Sequence, residues 1–257
     1  MELEAEACYV HTVPHDPRRL DVHDNARAIE EGCLYLTQEK KYYEFLDPNS
    51  SVFVKRNLTP SEYLVSYYGN LVLPIMCPER MKNEIAAIRY IQSNTTIPTP
   101  NIRCAFEDHG RFYIITDMVP GLTMAEIPDD KKAAVIKELE GYVDQMHAIK
   151  SNKMGGFCGD VVYPYRVAVA LPHDQDLKFR DADTPEFVLC HNDLSQHNVM
   201  VDEKTFKVNA ILDWEYAGFY PAEFDGAFYL RPGASVALDG EEDDVPKLLE
   251  TLEYWKA

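Results

Sequence analysis

Residues 190–218 read CHNDLSQHNVMVDEKTFKVNAILDWEYAG, and this stretch decides the predicted fold. Apolar, β-prone runs lie before it, in its middle and near its end, with a turn predicted at residues 202–205. The pattern predicts a strand, a short loop and a hairpin, and it would present Asp193, Asn198 and Asp213 at one edge of a packed sheet. Two carboxylates and an amide are oxygen ligands that suit Mg²⁺, which proteins usually hold through one or two carboxylates and substrate phosphates.

The order His-x-Asp-x4-Asn, followed by an Asp that ends a strand, resembles the catalytic loop and metal-binding Asp of the protein-kinase-like superfamily. Residues 191–194 (HNDL) and 213–218 (DWEYAG) resemble the aminoglycoside phosphotransferase family, the second in the form of its fungal members. The resemblance implies an α+β, two-lobed protein-kinase-like fold, with an antiparallel sheet and one helix in the small lobe and a larger, mainly helical lobe. We expect residues 1–118 to form the nucleotide-binding lobe and residues 119–257 the catalytic and substrate-binding lobe.

The activity that the resemblance implies is ATP-dependent transfer of the γ-phosphoryl group to a hydroxyl of a small molecule. Asp193 would accept or orient the proton of the acceptor hydroxyl. His191 is the other candidate of the catalytic loop, and it would support the loop rather than exchange protons. Asn198 and Asp213 would hold Mg²⁺ against the phosphates, in a reaction that depends on positioning and charge neutralisation. Ser195 stands where protein kinases commonly carry Lys, which favours a small-molecule kinase.

Two strand pairs are predicted in the amino-terminal half, residues 42–46 with 51–55 and residues 63–68 with 71–76. The sequence has no glycine-rich phosphate loop of the GxGxxG type. We therefore expect the turn at residues 47–51 to offer its backbone N–H groups to phosphate.

A helix predicted from Pro78 to about Ser93 carries Glu84 in or beside its apolar stripe. An unpaired buried charge is very costly, so this carboxylate should lie at a wet edge or pair with a cation. In the kinase-like fold the matching Glu pairs with a strand Lys that also binds phosphate, and the candidate here is Lys55. The strand predicted directly before the helix has no Lys, so a hairpin must be inserted between Lys55 and the helix. An exposed Lys beside Arg56 is the alternative.

Residues 111–119 resemble the last strand of the small lobe and the hinge that follows it. The resemblance implies that backbone groups of Asp117, Met118 and Val119 bind the adenine edge of ATP. Further along the chain, Asp225 resembles the family acid that braces the catalytic loop.

Two more helices are predicted in the second half of the chain, at about residues 129–150 and 241–255, the second with an acidic first turn at residues 241–244. The glycine- and aromatic-rich loop at residues 155–166 is a candidate lining of the acceptor pocket. Undifferentiated candidates for substrate contacts are Arg166, Asp174, Asp176, Asp181 and Asp183.

The net charge of the chain indicates which classes of binding partner are compatible with it. A net charge of -18 argues against nucleic-acid and anionic-membrane partners, which need clustered Lys and Arg, and it is compatible with a cationic small-molecule acceptor. The amino terminus lacks a signal-peptide pattern, and no run approaches the ~18 apolar residues of a membrane span. The six cysteines show no metal-ligand spacing. We expect a cytoplasmic protein with reduced thiols.

Two other functions are left open by the sequence. The missing glycine loop and the inserted hairpin before the helix would suit a catalytically inactive, nucleotide-binding pseudokinase with a regulatory role. A metallohydrolase would use His191, Asp193 and His197 as ligands of a redox-inert metal such as zinc.

Overall fold

The computed structural model describes residues 11–14, 30–66, 68–159, 162–171 and 177–257. Its strands are β1 (His11–Pro14), β2 (Cys33–Leu36), β3 (Lys40–Phe45), β4 (Val52–Asn57), β5 (Asn70–Leu73), β6 (Ile102–Asp108), β7 (Arg111–Asp117), β8 (Leu122–Thr123), β9 (Lys150–Ser151), β10 (Phe187–Cys190), β11 (Val199–Val201), β12 (Val208–Ile211) and β13 (Gly218–Tyr220). Its α-helices are α1 (Cys77–Asn94), α2 (Asp129–Ala148), α3 (Tyr165–Ala168) and α4 (Val245–Trp255).

A five-stranded antiparallel sheet forms the core of the small lobe, in the order β2-β3-β4-β7-β6. The predicted hairpin of residues 42–46 and 51–55 is confirmed as β3 and β4. Strand β4 is the middle strand, paired with β3 on one side and β7 on the other. Helix α1 packs on this sheet through Met81 and Ile85, which meet Ile114 of β7. This packing holds Glu84 of α1 close to Lys55 of β4.

The second predicted strand pair is confirmed only in part. Strand β5 pairs with β1 along its length, whereas residues 64–66 form a bridge between Val65 and Leu71 and two backbone hydrogen bonds with β5. Just upstream, Pro60–Glu62 form a 3₁₀ turn whose Glu62 binds buried cations of the sheet. The predicted insertion between β4 and α1 is confirmed, and it contains this turn and β5.

The core of the larger lobe forms between α2 and two short antiparallel sheets. Helix α2 buries Val135, Leu139 and Met146, which share one apolar cluster with Leu189 of β10 and Val199 of β11. Burial of side chains of this size stabilises the fold by about 1.5–3 kcal/mol each. The cluster therefore fixes β10 and β11, the two strands that flank residues 191–198, the predicted catalytic loop.

The hairpin predicted to end at Asp213 is confirmed as β11 and β12. The carboxylate of Asp202 closes its turn by accepting hydrogen bonds from the N–H groups of Lys204 and Thr205. Helix α4 is also confirmed, although the acids at residues 241–244 precede its first turn. None of the helices in the described part of the chain has the length and apolarity that crossing a membrane requires.

Candidate active site

Lys55 of β4 lies between two carboxylates that come from different lobes. Its Nζ is 2.6 Å from Oε1 of Glu84 on α1 and 2.9 Å from Oδ1 of Asp213, which follows β12. Lys55 is only 6% exposed, so the alternative of an exposed strand Lys is wrong. The Asp213 side chain is 45% exposed because it faces a cavity. The structure thus gathers three of the predicted residues at one point.

The charges of these three residues are strongly coupled. Burial opposes the charge on Lys55, but the attraction of Asp213 and Glu84 outweighs it and raises the pKa of Lys55 well above its usual range. Burial likewise opposes ionisation of Asp213, yet Lys55 and Lys40 hold the pKa of Asp213 down to about 2. For Glu84, burial wins over Lys55 and raises the pKa to about 7. One cation facing two acids leaves negative charge at Asp213, which suits a divalent metal ion.

His191 and Asp225 support the catalytic loop through hydrogen bonds. The buried ring of His191 donates from Nε2 to the Leu212 carbonyl (2.9 Å) and accepts the Asp193 N–H at Nδ1 (3.2 Å). Burial lowers the pKa of His191, so its ring is neutral and both nitrogens are engaged. Oδ1 of Asp225 accepts the N–H groups of His191 and Asn192, at 3.1 and 3.0 Å, which confirms the predicted brace.

Two residues of this region have backbone torsion angles in the left-handed region. Asn192 has φ +68° and Asp213 has φ +54°, a conformation that is uncommon outside glycine and tolerated best by Asn and Asp. The Asn192 side chain supports its own bend by donating to the Tyr216 carbonyl at 2.8 Å. These bends turn Asp193 and Asp213 toward the cavities described next.

Asp193 and Asn198 form the polar face of the catalytic loop. The Asn198 amide nitrogen donates to Oδ2 (3.1 Å) and to the main-chain carbonyl (2.7 Å) of Asp193. Because that nitrogen is engaged, Oδ1 is the Asn198 atom that can serve as a metal ligand. Burial raises the pKa of Asp193 to about 7, and the nearby hydroxyl of Ser235 offsets only part of this effect. A carboxylate with a near-neutral pKa can accept a proton from a substrate hydroxyl.

Two adjacent cavities meet at this loop. The first, of about 420 Å³, is lined by Lys55, Glu84 and Asp213 together with apolar residues of both lobes. The second, of about 670 Å³, has Asp193 among its lining residues. Asn198 lines both cavities, so the two spaces adjoin at this residue.

Comparison with known proteins agrees with this geometry. Residues 162–253 match the model of a family described as "Phosphotransferase enzyme family". A thermostable mutant of aminoglycoside phosphotransferase APH(4)-Ia, solved as a ternary complex with AMP-PNP and hygromycin B, is 17% identical with a TM-score of 0.50, over 74% of this chain and 68% of that one. A crystal structure of aminoglycoside-3'-phosphotransferase of type VIII is 21% identical with a TM-score of 0.52, over 82% and 83%.

The chain has the aminoglycoside phosphotransferase fold. The resemblance seen in residues 190–218 and the two-lobed, kinase-like fold class are therefore confirmed. The likeness to the fungal members stays a prediction. A search of curated proteins by sequence gave no match.

The segment predicted to be the hinge follows β7. Met118 and Val119 line the first cavity, and the Met118 N–H donates to the Ser51 carbonyl at 3.1 Å. Asp117 is not among the residues that line it. Its carboxylate instead accepts hydrogen bonds from Asn101 and Arg103, which tie the end of β7 to the start of β6.

The expectation that residues 47–51 reach the phosphates is wrong. This turn joins β3 to β4 at the hinge end of the sheet, where Ser51 meets Met118. The opposite end of β3 follows the turn at residues 37–39, and this turn lines the second cavity. Antiparallel pairing places consecutive turns at opposite ends of the sheet. The turn between β2 and β3 therefore occupies the position that the sequence analysis expected for the turn between β3 and β4.

A buried ion-pair network between the lobes was missed by the sequence analysis. Glu215 accepts hydrogen bonds from Lys40 of β3 (2.5 Å) and Arg80 of α1 (2.9 Å), and Arg80 also pairs with Glu39 (2.6 Å). Asn83 of α1 donates to the Glu215 carbonyl at 3.0 Å. A signal was present, since Arg80, Asn83 and Glu84 lie three and four positions apart and so share one helix face.

One of the candidates for acceptor contacts, Arg166, has a structural role, and the exposed acids among them do not line the cavity. Arg166 is buried and binds Asp244 (2.9 Å), while Asp181 and Asp183 are exposed away from the cavity. Asp174 and Asp176 lie outside the described residues. From the predicted loop at residues 155–166, Tyr165 lines the second cavity.

The metallohydrolase ligand set is not assembled. His197 is exposed and both ring nitrogens of His191 are engaged. Within the described ranges, the group with metal-compatible spacing is a different one, His147, Cys190 and Asp225. There Asp225 already accepts a hydrogen bond from His147 at 3.1 Å and braces the catalytic loop.

Proposed function

We propose that this protein transfers the γ-phosphoryl group of ATP to a hydroxyl of a small molecule with the help of Mg²⁺. The observation that carries the proposal is the pair of adjoining cavities, one with Lys55 between Glu84 and Asp213 and the other with Asp193. The ternary complex of the similar fold, with AMP-PNP and hygromycin B, supports the same use of two sites. We place the lobe boundary between residues 118 and 119, at the hinge.

ATP would occupy the first cavity. Backbone groups at Met118 and Val119 would meet the adenine edge, with Asp117 holding the hinge through Asn101 and Arg103. Mg²⁺ would be held by Asn198 and Asp213, whose free amide oxygen and low-pKa carboxylate are oxygen ligands of the kind this ion prefers. Bound there, the ion would neutralise phosphate charge.

Transfer would proceed with the acceptor in the second cavity. Asp193 accepts the proton as the acceptor oxygen bonds to the γ-phosphorus, and the bond from that phosphorus to the bridging oxygen breaks to release ADP. Lys55 neutralises the charge that develops on the phosphates, and Glu84 keeps Lys55 in place. His191 supports the loop through Leu212 and the Asp193 N–H without exchanging protons.

Lys55→Met is expected to lower Mg-ATP turnover by about 10²-fold, because a fixed cation at the phosphates is lost. Glu84→Gln should lower it by about tenfold, because the amide still fills the site but holds Lys55 less firmly. Lys82→Met is the matched control, since Lys82 is an exposed Lys of α1 paired with Glu107. ADP release with an acceptor panel measures turnover, and calorimetry measures Mg-ATP binding.

These measurements separate the proposal from its rival. Wild-type protein that binds Mg-ATP through Lys55 but releases no ADP with any acceptor would establish the pseudokinase instead. Wild-type protein that neither binds Mg-ATP nor turns it over would refute both. Equal loss in Lys55→Met and Lys82→Met would remove Lys55 from the site.

The pH dependence of acceptor turnover should show an acid limb near pH 7. Asp193 has a pKa raised to about 7 by burial, so it is protonated below that pH and cannot accept the hydroxyl proton. kcat/KM should therefore fall about tenfold per pH unit below the limb. Glu84 has a similar pKa, so Glu84→Gln is the control. The limb should persist in that variant, and its disappearance would assign the titration to Glu84.

A further inference from the structure

Two of the acids that line the second cavity are already paired with cations. Two carboxylates on its wall, Glu39 and Glu215, are matched by two cations, Lys40 and Arg80. Both cations are buried and lie within 2.9 Å of a carboxylate oxygen. Among the described lining residues, Asp193 is then the one acid left without a basic partner, and its task in the proposed reaction is to accept a proton.

The aromatic rings of this cavity are also unsuited to a cation. The guanidinium of Arg80 already lies over the Tyr216 ring, at 5.0 Å from its centre. Tyr42 stacks on Tyr35 with ring centres 4.3 Å apart, and Lys40 acts electrostatically on its hydroxyl. A cation that entered here would meet fixed positive charge at faces that otherwise attract ammonium groups.

Neutral polar atoms point to a different kind of ligand. Ser235 is 4% exposed, and its hydroxyl makes no hydrogen bond of normal geometry with the described residues although it lies near Asp193. Oε1 of Gln38 is buried and likewise without a partner in the described structure. Both residues line the second cavity. Buried polar groups are normally satisfied, so two of them in one cavity indicate a ligand that brings hydroxyl groups.

We propose that the acceptor is a neutral, hydroxyl-rich molecule of the sugar or polyol class rather than a polycationic amine. The inference rests on the proposed function. Desolvating an ammonium group requires an uncompensated carboxylate, and Glu39 and Glu215 are already neutralised. A polyol needs only neutral donors and acceptors, and Ser235 and Gln38 supply these. This differs from the hygromycin B of the similar solved structure and from the cationic acceptor that the net charge of -18 suggested.

The test compares matched acceptors that differ in one ammonium group. Full-length protein with Mg-ATP is assayed for ADP release against a panel of sugars and polyols, each beside its primary-amine analogue, such as sorbitol and 1-amino-1-deoxysorbitol at pH 7.5. We expect kcat/KM at least tenfold higher for the neutral member of the pairs. Higher kcat/KM for the amines, or activity with the amines alone, overturns the proposal. Loss of Mg-ATP binding would instead count against the proposed function.

Ser235→Ala adds a readout that a purely structural role would not give. KM for the neutral acceptor should rise at least fivefold, while KM for ATP and the thermal unfolding temperature stay unchanged. Ser93→Ala, at an exposed Ser of α1, is the control. An unchanged acceptor KM in Ser235→Ala would remove this hydroxyl from the acceptor site.

Discussion

Asp193→Asn should lower kcat for phosphoryl transfer by about 10²–10⁴-fold and at the same time raise the thermal stability of the protein. The loss follows because an amide cannot accept the hydroxyl proton. The gain follows because burial raises the pKa of Asp193 to about 7, so an ionised carboxylate at this position destabilises the fold. An Asn side chain keeps an oxygen for the hydrogen bond from Asn198 and carries no charge.

The raised pKa of Asp193 determines the pH range over which this effect on stability appears. The folded protein holds the Asp193 proton more tightly than the unfolded chain, so wild-type stability falls as pH rises from about 4 to about 7. The advantage of Asp193→Asn should be greatest at pH 8 and vanish near pH 4. Thermal unfolding at both pH values and kcat with a saturating acceptor measure the two effects, with the exposed Asp239→Asn as control. An Asn variant that keeps its kcat, or is less stable than wild type at pH 8, would contradict this account.

The sequence predicts a site residue correctly where the chemistry of its side chain and the pattern of its neighbouring residues indicate the same structure. Asp193, Asn198 and Asp213 lie on a loop and a hairpin whose apolar flanks set their positions, and the structure has that loop and that hairpin. Glu84 could be linked to Lys55 because an acid on an apolar helix face needs a cation. The two side chains are 2.6 Å apart.

The features that the sequence does not predict depend on contacts between distant parts of the chain. Lys40 and Glu215 meet across the lobes at 2.5 Å although 175 positions separate them, and nothing local to either residue indicates the pairing. The strand partner of β5 is β1, which precedes it by more than fifty residues, whereas a local reading favours the adjacent residues 63–68. Turn chemistry alone also could not decide which of two turns faces the cavity, because that depends on the order of strands in the sheet.

Glu62→Gln should destabilise the protein by about 3–5 kcal/mol, because it removes the buried partner of two buried cations. Both carboxylate oxygens of Glu62 bind Arg56, at 2.7 and 2.8 Å, and Oε1 also binds Lys41 at 3.1 Å. Burial favours the neutral acid, yet the hydrogen bonds from Arg56, Thr59 and Lys41 hold the pKa of Glu62 well below its usual range. The stabilisation is therefore present above the unfolded pKa of about 4.3 and is lost as pH falls below it.

Glu30→Gln provides a matched comparison for this network. Glu30 binds the same Arg56 and Lys41, at 2.9 and 3.0 Å, but its side chain is 46% exposed against 8% for Glu62. An exposed partner of this kind contributes about 0–1 kcal/mol. At roughly 2–4 °C per kcal/mol for a domain of about this size, Glu62→Gln should lower the unfolding temperature by about 6 °C or more and Glu30→Gln by at most about 4 °C. Equal shifts in the two variants would show that burial of the carboxylate does not decide the stability of the network.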